Sequence, residues 1–224
     1  GGGGVTAAAY TIDNSLRFDA GDSSYLAKTF SGDGNRRTFT ISLWFKSVLG
    51  YAFFYRGFGP NDDNWTSFHT QSAAYGQFIF QSRVANSYVA AITTPGKYRD
   101  PAAWYHVVLS IDTTQSVAAN RAKIYVNGVS EGTIDTTFPL NHQFEWWQES
   151  DTVQDILRQQ GSSTGYSDGY LAEYYYIDGT AYDADDFGEL DSTTNQWIPK
   201  DAVDDLTFST NGFYQKYGAT ELAD

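Results

Sequence analysis

The spacing of hydrophobic residues predicts β-strands along most of the chain. In residues 38–46, TFTISLWFK, every second side chain is large and apolar, which is the period-two pattern of a strand with one buried face. A short helix is predicted only at residues 184–187, with Asp183 as its N-cap. Many strands without intervening helices predict an all-β fold, a two-sheet antiparallel jelly-roll sandwich. The other predicted strands are residues 52–56, 66–71, 77–83, 87–94, 104–112, 122–126, 144–148 and 170–177.

Changes in residue composition and hydrophobic pattern divide the chain into three parts. Residues 1–13 form a Gly-rich N-terminal segment, residues 14–187 carry the strand pattern, and residues 188–224 form an extended C-terminal arm of acidic turns and isolated aromatic residues. The arm lacks dense apolar patterning, so we expect it to pack on its own sandwich or on another subunit. Its candidate assembly contacts are Trp197, Phe213 and Tyr214, because exposed rings would otherwise form apolar patches. The sequence has no Met, so we expect it to be a piece of a longer product.

Charge and composition narrow the classes of function. The chain has 14 Lys plus Arg against 27 Asp plus Glu, a net charge of -13, and such a surface repels phosphate backbones and polyanionic glycans. Nucleic acid is therefore not an expected partner. Thiol catalysis and thiolate metal sites are excluded because the sequence contains no Cys. Membrane insertion is not expected, since no apolar run reaches the roughly 18 residues of a spanning helix.

Several segments, in their order along the chain, resemble the laminin-G-like and concanavalin-A-like jelly-roll family. They are SLRFD at residues 15–19, FTISLWFK at 39–46, WYHVV at 104–108 with KIYVNG at 123–128, and GYSDGYLAEYYYID at 165–178. The Asn127-Gly128 pair independently predicts a hairpin with a type I′ turn. The resemblance implies the fold but leaves function open, because jelly rolls of this kind include lectins, adhesion domains, glycanases and virion proteins.

The C-terminal part has a narrower likeness. The segments IDG at 177–179, DDFGE at 185–189, WIPK at 197–200 and TNGFY at 210–214 resemble a tail found in structural proteins of tailed phages. This likeness implies a virion protein, located at a capsid decoration, fibre or tail surface. It also implies other virion proteins and copies of the same chain as partners.

Two aromatic segments are the candidate ligand sites. In the loop GPNDDNW at 59–65, the oxygen atoms of Asp62, Asp63 and Asn64 suit Ca²⁺, and Trp65 offers a flat face to a sugar ring. The same residue types are also what an ordinary turn requires.

The second candidate is the pair Trp146 and Trp147. In a strand, adjacent tryptophans face opposite ways, so one is expected to be buried and the other displayed. Trp44 and Trp104 are assigned to packing in the core or on the concave sheet.

No catalytic residue is assigned from the sequence. Glycanases of this fold use an E-x-D-x-x-E type motif, and the spacing of Glu145 and Glu149 departs from it. Glu173 is interpreted as structural. His69, His106 and His142 are too scattered along the chain to define a metal site.

The leading hypothesis is therefore a non-enzymatic phage protein on the virion surface, acting by contact and with a glycan-binding role. The alternative is a secreted, extracellular carbohydrate-binding or adhesion module. A glycoside hydrolase of the same fold is the third hypothesis.

Overall fold

The computed structural model describes residues 10–47, 50–59, 61, 63–71, 76–159 and 165–219. Short 3-10 helices lie at Ala20–Asp22, Ala118–Asn120, Ala184–Asp186 and Val203–Asp205. The strands are β1 (Leu16–Phe18), β2 (Leu26–Thr29), β3 (Thr38–Ser47), β4 (Phe53–Phe58), β5 (Trp65–Thr70), β6 (Phe78–Val84), β7 (Ser87–Thr93), β8 (Tyr105–Asp112), β9 (Ala122–Val126), β10 (Val129–Ser130), β11 (Thr133–Thr136), β12 (Val153–Ile156), β13 (Gly169–Asp178), β14 (Gly188–Leu190), β15 (Trp197–Pro199) and β16 (Phe213–Gln215).

Two seven-stranded antiparallel sheets form the sandwich. Sheet A has the order β1-β13-β3-β8-β9-β10, with β16 also paired to β13, and sheet B has the order β11-β7-β6-β5-β4-β12-β2. Strands β14 and β15 form a separate hairpin. The all-β, two-sheet jelly-roll prediction is confirmed.

One aromatic-rich core fills the space between the sheets. The alternate residues of β3 that the sequence assigns to the buried face are all within it. Phe39 of β3 meets Phe80 of sheet B with ring centroids 6.0 Å apart, and lies 4.7 Å from the ring of Trp147. Burial of each such side chain contributes about 1.5–3 kcal/mol to stability.

The hairpin between β9 and β10 has the turn that the sequence predicts. Asn127 and Gly128 have φ angles of 48° and 81°, both in the left-handed region, as a type I′ turn requires. A Cβ at Gly128 would also lie 2.4 Å from ring atoms of Trp197. Glycine is therefore needed here both for the turn and for the approach of the C-terminal arm.

The arm packs on the outer face of sheet A. Val108, Tyr125 and Tyr175 of the sheet share a second apolar cluster with Phe187 and Ala202. Strand β16 adds backbone pairing to β13, with Tyr175 opposite Tyr214. The described part of the arm thus lies against its own sandwich.

The strand predicted at residues 144–148 is wrong. These residues form turns, and Trp146 and Gln148 have left-handed φ angles of 56° and 52°, two positions away from each other, which a regular strand does not adopt. The helix predicted at residues 184–187 is confirmed as a 3-10 turn, closed by a capping box between Asp183 and Asp186. No helix in the described ranges is long and apolar enough to cross a membrane.

Candidate functional site

A trough of about 600 Å³ remains on the part of the outer face of sheet A that the arm does not cover. Trp44 of β3 and Ala172 of β13 form its floor, and Trp104 lies beside them just before β8. Residues 10–15 form one wall. Asp191, Ile198 and Pro199 of the arm form the other. The N-terminal residues of the described chain and the β14–β15 region of the arm therefore build the trough on a floor supplied by the sheet.

The alternation of β3 explains why an indole lies on this floor. The residues before and after Trp44 point into the core, so Trp44 points outward. Its ring packs in a tilted arrangement against that of His106, with centroids 5.0 Å apart and an interplanar angle of 31°. Ala172 is directly opposite Trp44 in the sheet register. This small side chain leaves space next to the indole.

A buried carboxylate joins the N-terminal wall of the trough, and strand β16 of the arm, to the sandwich. Glu173 lies at a β-bulge in β13, with φ of 52° and only 3% of its surface exposed. It accepts hydrogen bonds from the phenols of Tyr10 (2.5 Å), Tyr214 (2.7 Å) and Tyr175 (2.9 Å). Burial, together with the bond to Glu173, raises the pKa of Tyr10 to about 12. The phenol therefore remains a donor at neutral pH.

A second buried contact fixes the hairpin that carries Ile198 and Pro199. The indole N–H of Trp197 donates to Nδ1 of His106 at 2.9 Å, and His106 Nε2 lies 2.9 Å from Ser42 Oγ. Because an indole can only donate, the proton of His106 is on Nε2. Burial lowers the pKa of His106 to about 3, so this tautomer is retained at neutral pH.

The trough combines an apolar floor with polar groups at its edge. Asp13, Asn14 and Ser15 are exposed on one wall. Asp191 on the other wall accepts from the backbone N–H groups of Thr194 and Thr193, which lower the pKa of its carboxyl. An indole face with hydrogen-bonding groups around it can hold a sugar ring, which has an apolar C–H face and a rim of hydroxyls.

The predicted calcium loop is held together by its own polar groups. The side-chain oxygen of Asn64 accepts from the backbone N–H of Ala85 at 2.9 Å, and its amide donates to Asn61. Asp63 is exposed, and Asp62 lies outside the described residues. Among the residues described, no group of three or more His, Asp or Glu could hold a metal.

The predicted ligand-binding tryptophans lie in different environments. Trp65 is 8% exposed, on the outer face of sheet B, with the Arg56 guanidinium 5.1 Å from its ring centroid. Trp146 is half-buried and packs on the 59–64 loop, since a Cβ at Gly59 would lie 2.6 Å from its ring. Trp147 is fully buried in the core. A binding role for Trp65 or Trp146 stays a prediction.

The predicted assembly residues make contacts within the chain. Phe213 stacks on Tyr176, with centroids 5.4 Å apart, and Tyr214 stacks on Tyr175 at 4.3 Å. Their contacts with another subunit stay a prediction.

The carboxylate of Glu149, which the sequence places nearest to a glycanase motif, has structural partners. It pairs with Arg36 and accepts from the backbone N–H of Trp146 at 3.1 Å. It therefore holds the turn in which the strand at residues 144–148 was predicted.

The sequence pattern assigns Trp44 and Trp104 to packing and does not identify them as residues that line a trough. A signal was present in β3, where Trp44 alternates onto the face of Thr40 and Ser42 and not onto the apolar face. No sequence pattern marks the walls of the trough, because their positions depend on how residues 10–15 and the arm fold back onto sheet A.

Comparison with solved structures shows the same fold in distant proteins. Domains LG4-5 of the mouse laminin alpha1 chain match with a TM-score of 0.54 and 13% identity, over 81% of this chain and 46% of that one. Domain 4 of AbnA, a GH43 extracellular arabinanase from Geobacillus stearothermophilus solved with arabinotriose, matches with a TM-score of 0.51 and 16% identity, over 81% of this chain and 78% of that one. Tailspike protein 2 of an Escherichia coli O157:H7 bacteriophage matches with a TM-score of 0.50 and 10% identity, over 77% of this chain and 23% of that one.

Sequence comparison assigns the family. No curated protein matches the chain significantly. The family model described as the concanavalin A-like lectin/glucanases superfamily, Laminin_G_3, matches residues 19–185, which include every strand from β2 to β13. The chain belongs to the concanavalin A-like lectin/glucanase superfamily, in its laminin-G-like branch.

Proposed function

We propose that this chain is a non-enzymatic surface module of a phage virion, on a capsid decoration, fibre or tail, and that it binds glycans through the trough. The observation that carries the binding role is the pair Trp44 and Trp104, two half-buried indoles that line one trough. A trough of about 600 Å³ falls within the range of about 300–1,000 Å³ that small-ligand sites occupy.

A saccharide fits this arrangement better than a purely apolar ligand does. The indoles and Ala172 provide the apolar surface, and Asp13, Asn14, Ser15 and Asp191 provide hydrogen-bonding groups at the edge. A hydrophobic ligand would leave these polar groups unsatisfied, at a cost in affinity. Sugar hydroxyls satisfy them.

The virion setting is supported by the C-terminal sequence likeness to tailed-phage structural proteins and by a tailspike protein among the proteins that share the fold. Many copies on a particle would also strengthen weak binding. Each bound copy raises the effective concentration of its neighbours at a glycan-coated surface. Glycan cleavage is not part of this proposal, because the carboxylate nearest to a glycanase motif, Glu149, is engaged by Arg36 and Trp146.

The binding role is tested with a glycan array followed by calorimetry on the best ligands. We expect Trp104→Ala to weaken binding by roughly tenfold or more, since truncation of a central aromatic contact commonly costs at least 1.4 kcal/mol. Tyr88→Ala is the matched control, because Tyr88 is a 52% exposed aromatic residue on sheet B. Equal affinity of wild type and Trp104→Ala would contradict the proposal.

A secreted carbohydrate-binding module is the second candidate. The fold of domain 4 of the arabinanase AbnA, which was solved with arabinotriose, favours it. Mass spectrometry of purified particles and of the culture supernatant separates the two settings. The virion proposal predicts the chain in the particle fraction at many copies, and a monomer found only in the supernatant would favour the secreted module.

A further inference from the structure

We propose that the trough selects neutral saccharides and rejects acidic ones. This inference rests on the proposed glycan-binding role and adds the chemical class of the ligand. Its basis is the sign of the charges around the trough. Both ionised groups that line it are carboxylates, Asp13 on the N-terminal wall and Asp191 on the arm. No Lys or Arg is among its described lining residues.

Three lysines in neighbouring segments, Lys46, Lys200 and Lys216, do not line the trough. Lys46 is held over the ring of Tyr170, 6.0 Å from its centroid, and Tyr170 in turn meets the edge of Trp104. Lys200 donates to the backbone oxygen of Asp185. Lys216 lines an adjoining cavity that shares residues 10–14 with the trough. An acidic sugar in the trough would therefore face two like charges, with no Lys or Arg among the described residues that line it.

The positions of the two carboxylates match the shape of a sugar ring. A basic peptide is the alternative that the test addresses, because indole faces also attract cations. The floor here is apolar, formed by Trp44, Trp104 and Ala172, and the carboxylates lie on the walls. Hydroxyls around the perimeter of a pyranose match that arrangement, with its apolar face on the indoles.

Backbone hydrogen bonds hold the carboxylate of Asp191 in position. Its carboxyl accepts from the backbone N–H groups of Thr193 and Thr194 at 2.8 and 2.7 Å. Because Asn has an oxygen at the same position, Asp191→Asn preserves this turn and removes only the charge. Asp13→Asn is equally conservative, since Asp13 is exposed.

The test uses matched trisaccharides of glucose, galactose and mannose, each as the neutral sugar and as its C6 carboxylate. Calorimetry at low salt is expected to show neutral trimers binding roughly tenfold tighter than their acids, with the difference shrinking as salt screens the charges. In the double variant Asp13→Asn/Asp191→Asn, the ratio of neutral to acidic affinity should fall from roughly tenfold to about twofold or less, measured on the same protein so that any general loss of affinity cancels. Asp22→Asn/Asp204→Asn, two exposed residues outside the trough, is the charge-matched control and should leave the preference unchanged.

Each outcome has a distinct meaning. Acidic and neutral trimers that bind equally, in a Trp104-dependent manner, overturn the selectivity and leave the glycan-binding role standing. Displacement of the neutral trimer by trilysine at comparable concentration would assign the trough to a cationic partner and overturn the inference. Failure of every trimer and of the array to bind would overturn the proposed function and the inference with it.

Discussion

The indole N–H of Trp197 donates a hydrogen bond of 2.9 Å to Nδ1 of His106, a side chain that is 1% exposed. This contact joins the arm to the central strand pair of sheet A and fixes the hairpin that forms one wall of the trough. Residue 197 must therefore supply a hydrogen-bond donor as well as an aromatic ring.

Replacement of Trp197 by Phe is expected to lower the free energy of unfolding by about 1–3 kcal/mol, because it leaves the buried nitrogen of His106 without a donor. Urea unfolding followed by fluorescence measures the change. Tyr88→Phe serves as the control, since Tyr88 is exposed, and its effect should stay within about 0.5 kcal/mol. An unchanged urea midpoint for Trp197→Phe would show that the hydrogen bond does not stabilise the fold.

Stability should fall in mildly acidic solution. Burial lowers the pKa of His69 and of His106 to about 3, whereas in the unfolded chain both have pKa values near 6.5. As the pH drops below that value, the unfolded state binds protons that the folded state does not, so the free energy of unfolding decreases by up to about 2 kcal/mol per histidine at pH 5.

The contribution of His106 can be isolated by comparing thermal unfolding between pH 7.5 and pH 5. His106→Gln should show a weaker pH dependence than wild type. His142→Gln, at a half-buried histidine, should alter it less. A pH dependence in His106→Gln as steep as in wild type would contradict the assignment of a buried, neutral His106.

Glu173 is expected to couple the two ends of the chain. Glu173→Gln weakens the hydrogen bonds from Tyr10 and Tyr214 because the charged acceptor is lost, and should destabilise the protein by about 1–3 kcal/mol. Faster hydrogen exchange is expected at residues 213–215 together with residues 10–15. Tyr175→Phe, which removes one donor from the same strand, should not accelerate exchange at both ends. Unaltered exchange in Glu173→Gln would mean that the ends dock independently of this carboxylate.

A substitution at Gly128 tests how closely the arm approaches the sandwich. Gly128→Ala places a Cβ at a φ of 81° and 2.4 Å from the Trp197 ring, so we expect a loss of about 1–3 kcal/mol. Gly32→Ala is the matched control, because a Cβ there meets nothing within 4 Å. Similar melting temperatures for the two variants would contradict the tight packing of Trp197 on this turn.

The sandwich could be predicted from the sequence because its strands are encoded locally. Alternation in β3 and the Asn127-Gly128 turn each require only neighbouring residues to be recognised. The strand predicted at residues 144–148 is wrong because the prediction used local composition alone. Its aromatic content is strand-like, but Trp147 enters the core from a turn in which Trp146 and Gln148 adopt left-handed φ angles, and local composition does not reveal this.

The trough could not be predicted because its walls are assembled by contacts between residues far apart in sequence. Tyr10 and Glu173 are separated by 163 positions, and Trp197 and His106 by 91. Glu173 accepts hydrogen bonds from three phenols, and these partners depend on a β-bulge that no sequence motif indicates. The candidate residues of the 59–65 loop were chosen for chemistry that turns also use, and Asn64 is engaged within that loop region.

Binding of a saccharide against Trp44 and Trp104 can be followed at the six indole N–H signals of the protein by ¹H–¹⁵N NMR, during titration with the best ligand from the array. The six tryptophans provide internal controls, because Trp65, Trp147 and Trp197 lie outside the trough lining. We predict saturable shifts at Trp44 and Trp104, with Trp65 and Trp147 unchanged. Shifts confined to Trp65 or Trp146, with those of Trp44 and Trp104 unchanged, would contradict this prediction and assign binding to the surface that carries Trp65 and Trp146.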